Sequence, residues 1–186
     1  MCSEFQSKFP DIRLHLRSVL LEQVSEYVLQ GEFTLGISVV TTGKYSSLVA
    51  DVVTRVAMIN VAAPNHPLTT NDRSLGQEDL EKHLQIVVSN DLATPVNVAR
   101  NVFGKEIWKV ASPTTKKELL LAGIGWGALP EYMIQQELKT GQLRELNIVP
   151  HLQKDREGYL YAIRRPETIL GKGSRWIWEY LQALES

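Results

Sequence analysis

The sequence predicts an α/β fold in which strands and helices alternate along all 186 residues. Two periodicities support this prediction. Apolar residues alternate with polar ones in short runs, which is typical of half-buried strands, and between those runs they recur every three or four positions, which is typical of helices. Glycine, proline and capping residues mark most boundaries between the two patterns.

The first quarter of the chain shows a strand, a helix and a second strand. Residues 12–16 alternate isoleucine and leucine with basic side chains, which predicts a strand. From Val19 the apolar spacing lengthens, and Gly31 stands where a helix is expected to end in a left-handed residue. A second alternating run over residues 33–41 predicts the next strand.

The middle of the chain begins with a long apolar stretch. Residues 48–63 are apolar almost throughout, as expected of strands covered on both faces, and the stretch stops at Pro64. Ser74 and Gln77 have the spacing of a capping box, so a short helix to about His83 is predicted. The apolar run at residues 86–88 then predicts a buried strand.

The second half of the chain continues the alternation. Ser112 followed by Pro113 predicts a capped helix that ends at Gly123, and Ser174 is the predicted cap of the last helix. The other predicted elements are strands at 107–111, 124–129 and 159–164 and a helix from Pro130 to Gly141. Residues 92–105 give no clear prediction because the periodicity is weak.

Composition excludes several classes of protein. The chain has 20 basic and 21 acidic residues, a net charge of -1, whereas a domain that grips phosphate backbones normally shows a basic surplus. Charged runs such as 116–118 are interpreted as solvated helix faces. The lone Cys2 and the lack of a signal-type or membrane-spanning apolar run predict a cytoplasmic protein with no membrane partner.

Motifs for catalysis, metal binding or nucleotide binding are not found. The glycines at 123–127 follow a predicted helix and open a strand, the reverse of a dinucleotide-binding loop, and residues 171–174 lack the spacing of a phosphate loop. The four histidines fall on separate elements, and His83 with Asp79 is interpreted as a surface pair. We therefore predict no metal, no cofactor and no enzymatic centre.

Short polar side chains follow several predicted strands. In open α/β sheets ligands bind outside the carboxyl ends of strands, where helix amides and polar side chains converge. The sequence therefore predicts a ligand site there, with Trp126 near its wall. The candidate ligand-binding residues are Ser18, Thr41, Ser89, Asn90, Ser112 and Trp126, with Thr42 beside them.

Four segments resemble the effector-binding domain of LysR-type transcriptional regulators. Residues 9–16 read Phe-Pro-Asp-Ile-Arg-Leu-His-Leu, and residues 29–37 read Leu-Gln-Gly-Glu-Phe-Thr-Leu-Gly-Ile. Asn-His-Pro-Leu follows at 65–68, and residues 118–130 read Glu-Leu-Leu-Leu-Ala-Gly-Ile-Gly-Trp-Gly-Ala-Leu-Pro, with Gly-Gln-Leu behind at 141–143. Together these segments span most of the chain in the family's order.

The resemblance implies a type-2 periplasmic-binding-protein fold, with two α/β subdomains joined by two strand crossings. Residues 1–63 with 163–186 would form subdomain I, without its N-terminal strand, and residues 64–162 would form subdomain II. A small polar or anionic effector would bind in the cleft between them. The implied hinge residues are Ala63, Pro64, Ala162 and Ile163.

The resemblance also implies partners. The family's helix-turn-helix and linker helix would precede Phe9, so DNA is expected to be bound only through a segment that this chain lacks. A homodimer or higher homo-oligomer is expected, with residues 116–121 on its contact helix, and it is expected to be weak because the other contact helix is mostly missing. Two alternatives remain open: a periplasmic-type solute-binding protein, which would be monomeric, and an α/β enzyme without a recognisable motif.

Overall fold

The computed structural model describes residues 1–19, 21–39, 47–70, 73–89, 102–153 and 157–185. The helices are α1 (Cys2–Lys8), α2 (Leu21–Gln30), α3 (Gln77–Glu81), α4 (Pro113–Leu121), α5 (Glu131–Thr140) and α6 (Lys172–Gln182). The strands are β1 (Gly36–Ser38), β2 (Val49–Ala62), β3 (Gln85–Val88), β4 (Ile107–Val110), β5 (Trp126–Pro130), β6 (Arg144–Glu145) and β7 (Glu157–Arg164). Strand and helix alternate through most of this order, as the sequence predicts.

The chain divides into two compact units. Unit 1 comprises Met1–Arg55 and Tyr159–Ser186, and unit 2 comprises Val56–Gly158. Both passages of the chain between the units therefore fall within strands, β2 and β7. The sequence predicts these passages further along, near residues 63–64 and 162–163, and the assignment of those residues as hinges stays a prediction.

Unit 1 packs the C-terminal helix against a small antiparallel pairing. Strand β1 pairs with β7, with Gly36 opposite Ile163. Apolar side chains of β2, β7 and α6 form the core, and their buried members are Val53, Ala162, Trp178 and Leu181. Helix α2 ends as predicted at Gly31, which has φ +79° and therefore adopts the left-handed conformation that glycine tolerates best.

The predicted strand at residues 12–16 is wrong. These residues belong to no strand, and Ile12, Leu14 and Leu16 are 42%, 37% and 67% exposed. A strand needs a neighbour to accept its backbone hydrogen bonds, and no described strand pairs with this segment. The alternating pattern is therefore present in the sequence, but the ladder that would make it a strand is not formed in the described part of the chain.

Unit 2 is built on a mixed sheet. Strand β3 pairs in parallel with β4 and with β5, and β2 pairs antiparallel with β5. The short β6, which the sequence does not reveal, adds to the other side of β2. Parallel pairing places the carboxyl ends of β3 and β4 at the same edge of the sheet.

Two cores cover the two faces of this sheet. The first contains Ala62, Leu80, Trp126 and Leu146, with Phe103 packed against it. The second contains Val61, Ile86, Leu120, Leu129, Ile134 and Leu143. Neighbouring residues of β2, Val61 and Ala62, thus face opposite cores, which is why residues 48–63 are apolar almost throughout.

Two predicted helix caps differ in the structure. The cap of α3 is Gly76, whose N–H donates to the Asp79 carboxylate at 3.0 Å, so Ser74 does not cap this helix. The same carboxylate accepts two hydrogen bonds from Arg73, at 2.6 and 2.9 Å. Helix α6 begins with Gly171 as its cap, so Ser174 lies inside the helix.

Candidate functional site

Ser89 and Ser112 follow neighbouring parallel strands of unit 2. In the ladder between β3 and β4, Val88 lies opposite Val110. Ser89 comes directly after Val88, and its backbone N–H donates to the Val110 carbonyl at 3.0 Å. Ser112 follows at the end of β4. The structure therefore brings these two predicted ligand-binding residues to one edge of the sheet.

Ser112 also caps helix α4, as the sequence predicts. Its Oγ accepts a hydrogen bond from the Thr115 N–H at 3.1 Å, and Pro113 occupies the first helical position. The Lys116 N–H donates to the Ser112 carbonyl at 3.1 Å. In the first turn this leaves the Thr114 N–H without an acceptor among the described residues. A helix start with an open amide favours an anionic or carbonyl group of a ligand.

Lys116 is buried, which corrects the interpretation of residues 116–118 as a solvated face. Its side chain is 5% exposed. Burial lowers the pKa of Lys116 to about 7. Its neighbour Lys117 instead pairs with Glu137 at 2.6 Å and donates to the Met133 carbonyl at 2.7 Å. The two adjacent lysines thus have different environments.

Trp126 belongs to the core of unit 2. The side chain is 0% exposed and stacks on Phe103, with 6.4 Å between the ring centroids. Its indole Nε1 donates to the His83 carbonyl at 3.3 Å, so the polar group of the ring is satisfied. Trp126 is therefore not proposed to contact the ligand, although the sequence predicts it near the wall of the site.

The remaining predicted site residues are not brought together by what the structure describes. Ser18 lies in unit 1 and is exposed, outside any helix or strand. Thr41, Thr42 and Asn90 lie outside the described residues. Their part in a ligand site stays a prediction.

The predicted hinge residues have well-defined surroundings. Ala63 is buried, and its carbonyl accepts hydrogen bonds from the His66 N–H and the Thr69 hydroxyl, both at 3.0 Å. Pro64 is exposed. Ala162 and Ile163 are buried inside β7, where they pair with β1. Both pairs lie within a unit rather than at its boundary.

Comparison with known proteins identifies the family. A model of the LysR substrate binding domain matches residues 1–185. The chain belongs to this family. The HTH-type transcriptional regulator AceR of Acinetobacter baumannii is 22% identical over 178 residues, which cover 95% of this chain and 59% of AceR. The chain thus spans less than two thirds of that regulator's length.

Solved LysR regulatory domains share the fold. The regulatory domain of CcmR from Synechocystis PCC6803, solved in complex with 2-PG, has a TM-score of 0.80 at 18% identity. The match covers 100% of this chain and 89% of the CcmR domain. The effector-binding domain of QuiR, solved with shikimate, has a TM-score of 0.76 at 16% identity, with 98% of this chain and 87% of that domain covered.

These findings confirm three predictions. The chain is an effector-binding regulatory domain of the LysR type, and its mixed α/β fold matches the periplasmic-binding-protein-like fold of LysR regulatory domains. LysR regulators are transcription factors and not enzymes, so the domain is not catalytic. Within the described residues, none of the helices combines the length and apolar character needed to cross a bilayer.

Sequence reasoning missed two relationships in this LysR domain. His66 and His83, on different elements, lie 5.2 Å apart between ring centroids, and His66 Nδ1 accepts a hydrogen bond from the Leu68 N–H at 3.2 Å. Burial, and secondarily the charge of His83, lower the pKa of His66. The burial of Lys116 was also missed, although the capped helix start at Ser112 fixed its position in the first turns of α4.

Proposed function

We propose that this domain binds a small polar or anionic effector at the carboxyl edge of β3 and β4, where Ser89 and Ser112 contact the ligand. The observation that carries the proposal is the placement of these two hydroxyl side chains after neighbouring parallel strands, at the start of α4. This is the position where open α/β sheets bind ligands.

The chemistry of this edge suits a ligand with acceptor groups. Ser89 and Ser112 place hydroxyl groups at this edge, where Ser112 Oγ also lies 3.0 Å from Thr115 Oγ1 and either of these two can be the donor. The Thr114 N–H has no acceptor among the described residues. The partial positive charge at the start of α4 adds to the preference for an anion. From the sequence, Ser18, Thr41 and Asn90 are proposed to contribute further hydrogen bonds.

The ligands of two similar domains support a small effector of this kind. The CcmR domain was solved with 2-PG and the QuiR domain with shikimate. At 18% and 16% identity these domains share the fold, so their ligands serve here as first probes.

The function of the longer protein is also proposed. Because AceR is an HTH-type regulator of which this chain spans 59%, we propose that a helix-turn-helix outside this chain binds DNA and that the effector controls that binding. We propose a cytoplasmic homodimer or higher homo-oligomer that uses the exposed face of α4. Lys116 is excluded from that contact because it is buried.

Titration calorimetry on single-residue variants tests the effector site. We expect Ser89→Ala to weaken binding of shikimate or 2-PG about tenfold, the usual effect of losing one hydrogen bond to a charged group. Ser112→Asp keeps a competent helix cap while adding a negative charge, so it should weaken an anionic effector more than Ser89→Ala does.

The matched control is Thr140→Ala. Thr140 ends α5, which follows a strand of the same sheet and therefore returns to the opposite edge. Among the described residues its hydroxyl donates to groups close in sequence, the Gln136 carbonyl at 2.9 Å and Gln142 Oε1 at 3.2 Å. Its loss should leave affinity unchanged. Binding that is unaffected by both serine changes, or equally reduced by Thr140→Ala, would contradict the proposal.

A further inference from the structure

The Lys116 side chain lies between helix α4 and the sheet of unit 2. A Cβ atom added to Gly127 would lie 2.6 Å from Lys116 Cε and 2.9 Å from its Nζ, and 2.6 Å from the Ile86 carbonyl oxygen. The amine therefore rests over β5, close to the backbone of β3, in space that the glycine leaves open.

Among the described residues, the elements around this amine offer it no counter-charge. Strand β3 reads Gln-Ile-Val-Val and strand β5 reads Trp-Gly-Ala-Leu-Pro, so neither has a titratable side chain. On α4 itself Lys117 pairs with Glu137 of α5, Glu118 is exposed, and Lys109 is the titratable residue of β4. Among the described residues no carboxylate pairs with Lys116. Burying an ammonium without a partner raises the free energy of the folded state, and an anion that binds beside it offsets this desolvation penalty.

About 10 Å of strand separates Ile86, which lies near this amine, from the proposed effector edge. Lys116 lies one helical turn beyond the cap residue Ser112, and helix side chains lean toward the helix start. Along β3, Ile86 precedes Ser89 by three residues, which is about 10 Å of strand. The flexible four-carbon stem of lysine and a small ligand together can bridge this distance.

We infer that Lys116 supplies the positive charge for an acidic group of the effector, so that the effector is an anion carrying a carboxylate or phosphate. This inference rests on the proposed effector edge and deepens it by naming the ligand class. Desolvation depresses the pKa of Lys116 to about 7. Without ligand, a large share of the amine is therefore neutral near pH 7. A bound anion restores the charged form.

Acetate, inorganic phosphate and neutral acetamide are suitable probes. Their binding is measured at constant ionic strength by NMR of the whole chain labelled at lysine Cε and backbone N. The Lys116 signal is identified by its loss in Lys116→Met. We expect acetate and phosphate to raise the titration midpoint of Lys116 by about one pH unit or more, because an opposite charge nearby favours the ammonium form. Acetamide should not raise it.

Two neutral variants and one control complete the test. Lys116→Met and Lys116→Gln should each weaken the binding of acetate and phosphate at least tenfold, as followed by the amide shifts of Ser89 and Ser112. Lys117→Met makes the same change in charge on the same helix and should bind both anions like the unmodified chain. Anions that bind both Lys116 variants with unchanged affinity, or leave the Lys116 midpoint unmoved, overturn the inference while the effector edge stands. If neither the anions nor acetamide perturb these amides, the effector edge and the inference both fail.

Discussion

The side chain of Lys116 occupies the space above Gly127. Any Cβ at position 127 would approach Lys116 Cε to 2.6 Å, closer than real carbon contacts allow, and would come equally close to the Ile86 carbonyl. Glycine at 127 thus leaves room for two neighbours, the Lys116 side chain, which can move, and the Ile86 carbonyl, which cannot. The missing side chain at this position of β5 leaves the room in which Lys116 of α4 is buried.

Gly127→Ala should destabilise unit 2. Overpacking of a well-filled interior costs typically about 1 to 3 kcal/mol. The added Lys116→Ala change should restore only part of this loss, because the Ile86 carbonyl remains 2.6 Å from the new methyl group. Urea unfolding of the single and double variants measures both effects. Full restoration by Lys116→Ala would show that the lysine, and not the backbone, sets the need for glycine.

The stability of the domain should rise with pH above neutrality. Because burial depresses the pKa of Lys116 from 10.5 to about 7, the unfolded chain binds more protons than the folded one between these values. The free energy of unfolding should therefore increase from about pH 7 to 10, by at most roughly 1.4 kcal/mol per pH unit for one proton.

Lys116→Met removes this contribution, so its unfolding free energy should exceed that of the unmodified chain below pH 7, with the difference shrinking as pH rises. Lys117→Met serves as control and should not change the slope. Parallel pH profiles for Lys116→Met and the unmodified chain would show that Lys116 is not buried in an unpaired state.

Local sequence signals predicted α4 well. Ser112 and Pro113 mark its start and Gly123, with φ +74°, follows its end, and each signal depends only on neighbouring residues. The same signals could not show that Lys116 turns inward, because that depends on Gly127 and Ile86, which reach it only through the packing of α4 on the sheet.

Two other residues show where sequence reasoning stops. Trp126 lies within the strand predicted at 124–129 and was expected near the wall of the ligand site, but Phe103 and the His83 carbonyl, distant in sequence, hold it in the core. Ser89 and Ser112 were predicted correctly to follow strands, and only the parallel ladder between β3 and β4 shows that they share an edge. Residues 12–16 have strand periodicity without a described pairing partner, which periodicity alone cannot reveal.

His66 should make the domain sensitive to mild acid. Its Nδ1 must be unprotonated to accept the Leu68 N–H, and burial followed by the charge of His83 lowers its pKa below 6.5. The folded state therefore binds fewer protons, so stability is full above about pH 6.5 and declines as the pH falls through the lowered pKa. His66→Asn, which keeps an acceptor, should lose less stability on acidification, as measured by thermal unfolding from pH 7.5 to 5. Identical losses would contradict this role.

The exposed face of α4 should control self-association. Glu118 lies on that face, whereas Lys116 is buried and Lys117 is paired. Glu118→Lys should raise the dimer dissociation constant about tenfold in sedimentation velocity, and Glu78→Lys on α3 should not, although it changes the net charge equally. If both variants associate like the unmodified chain, the contact lies elsewhere.

The effector is proposed to bind at the carboxyl edge of β3 and β4. Backbone amide shifts measured during titration with shikimate or 2-PG test it directly, because they locate the ligand without assuming its pose. Binding at this edge should give saturable shifts at Ser89, Ser112 and Thr114, with Thr140 at the opposite end of α5 unchanged. Saturable binding that leaves all three of these amides unmoved would contradict it.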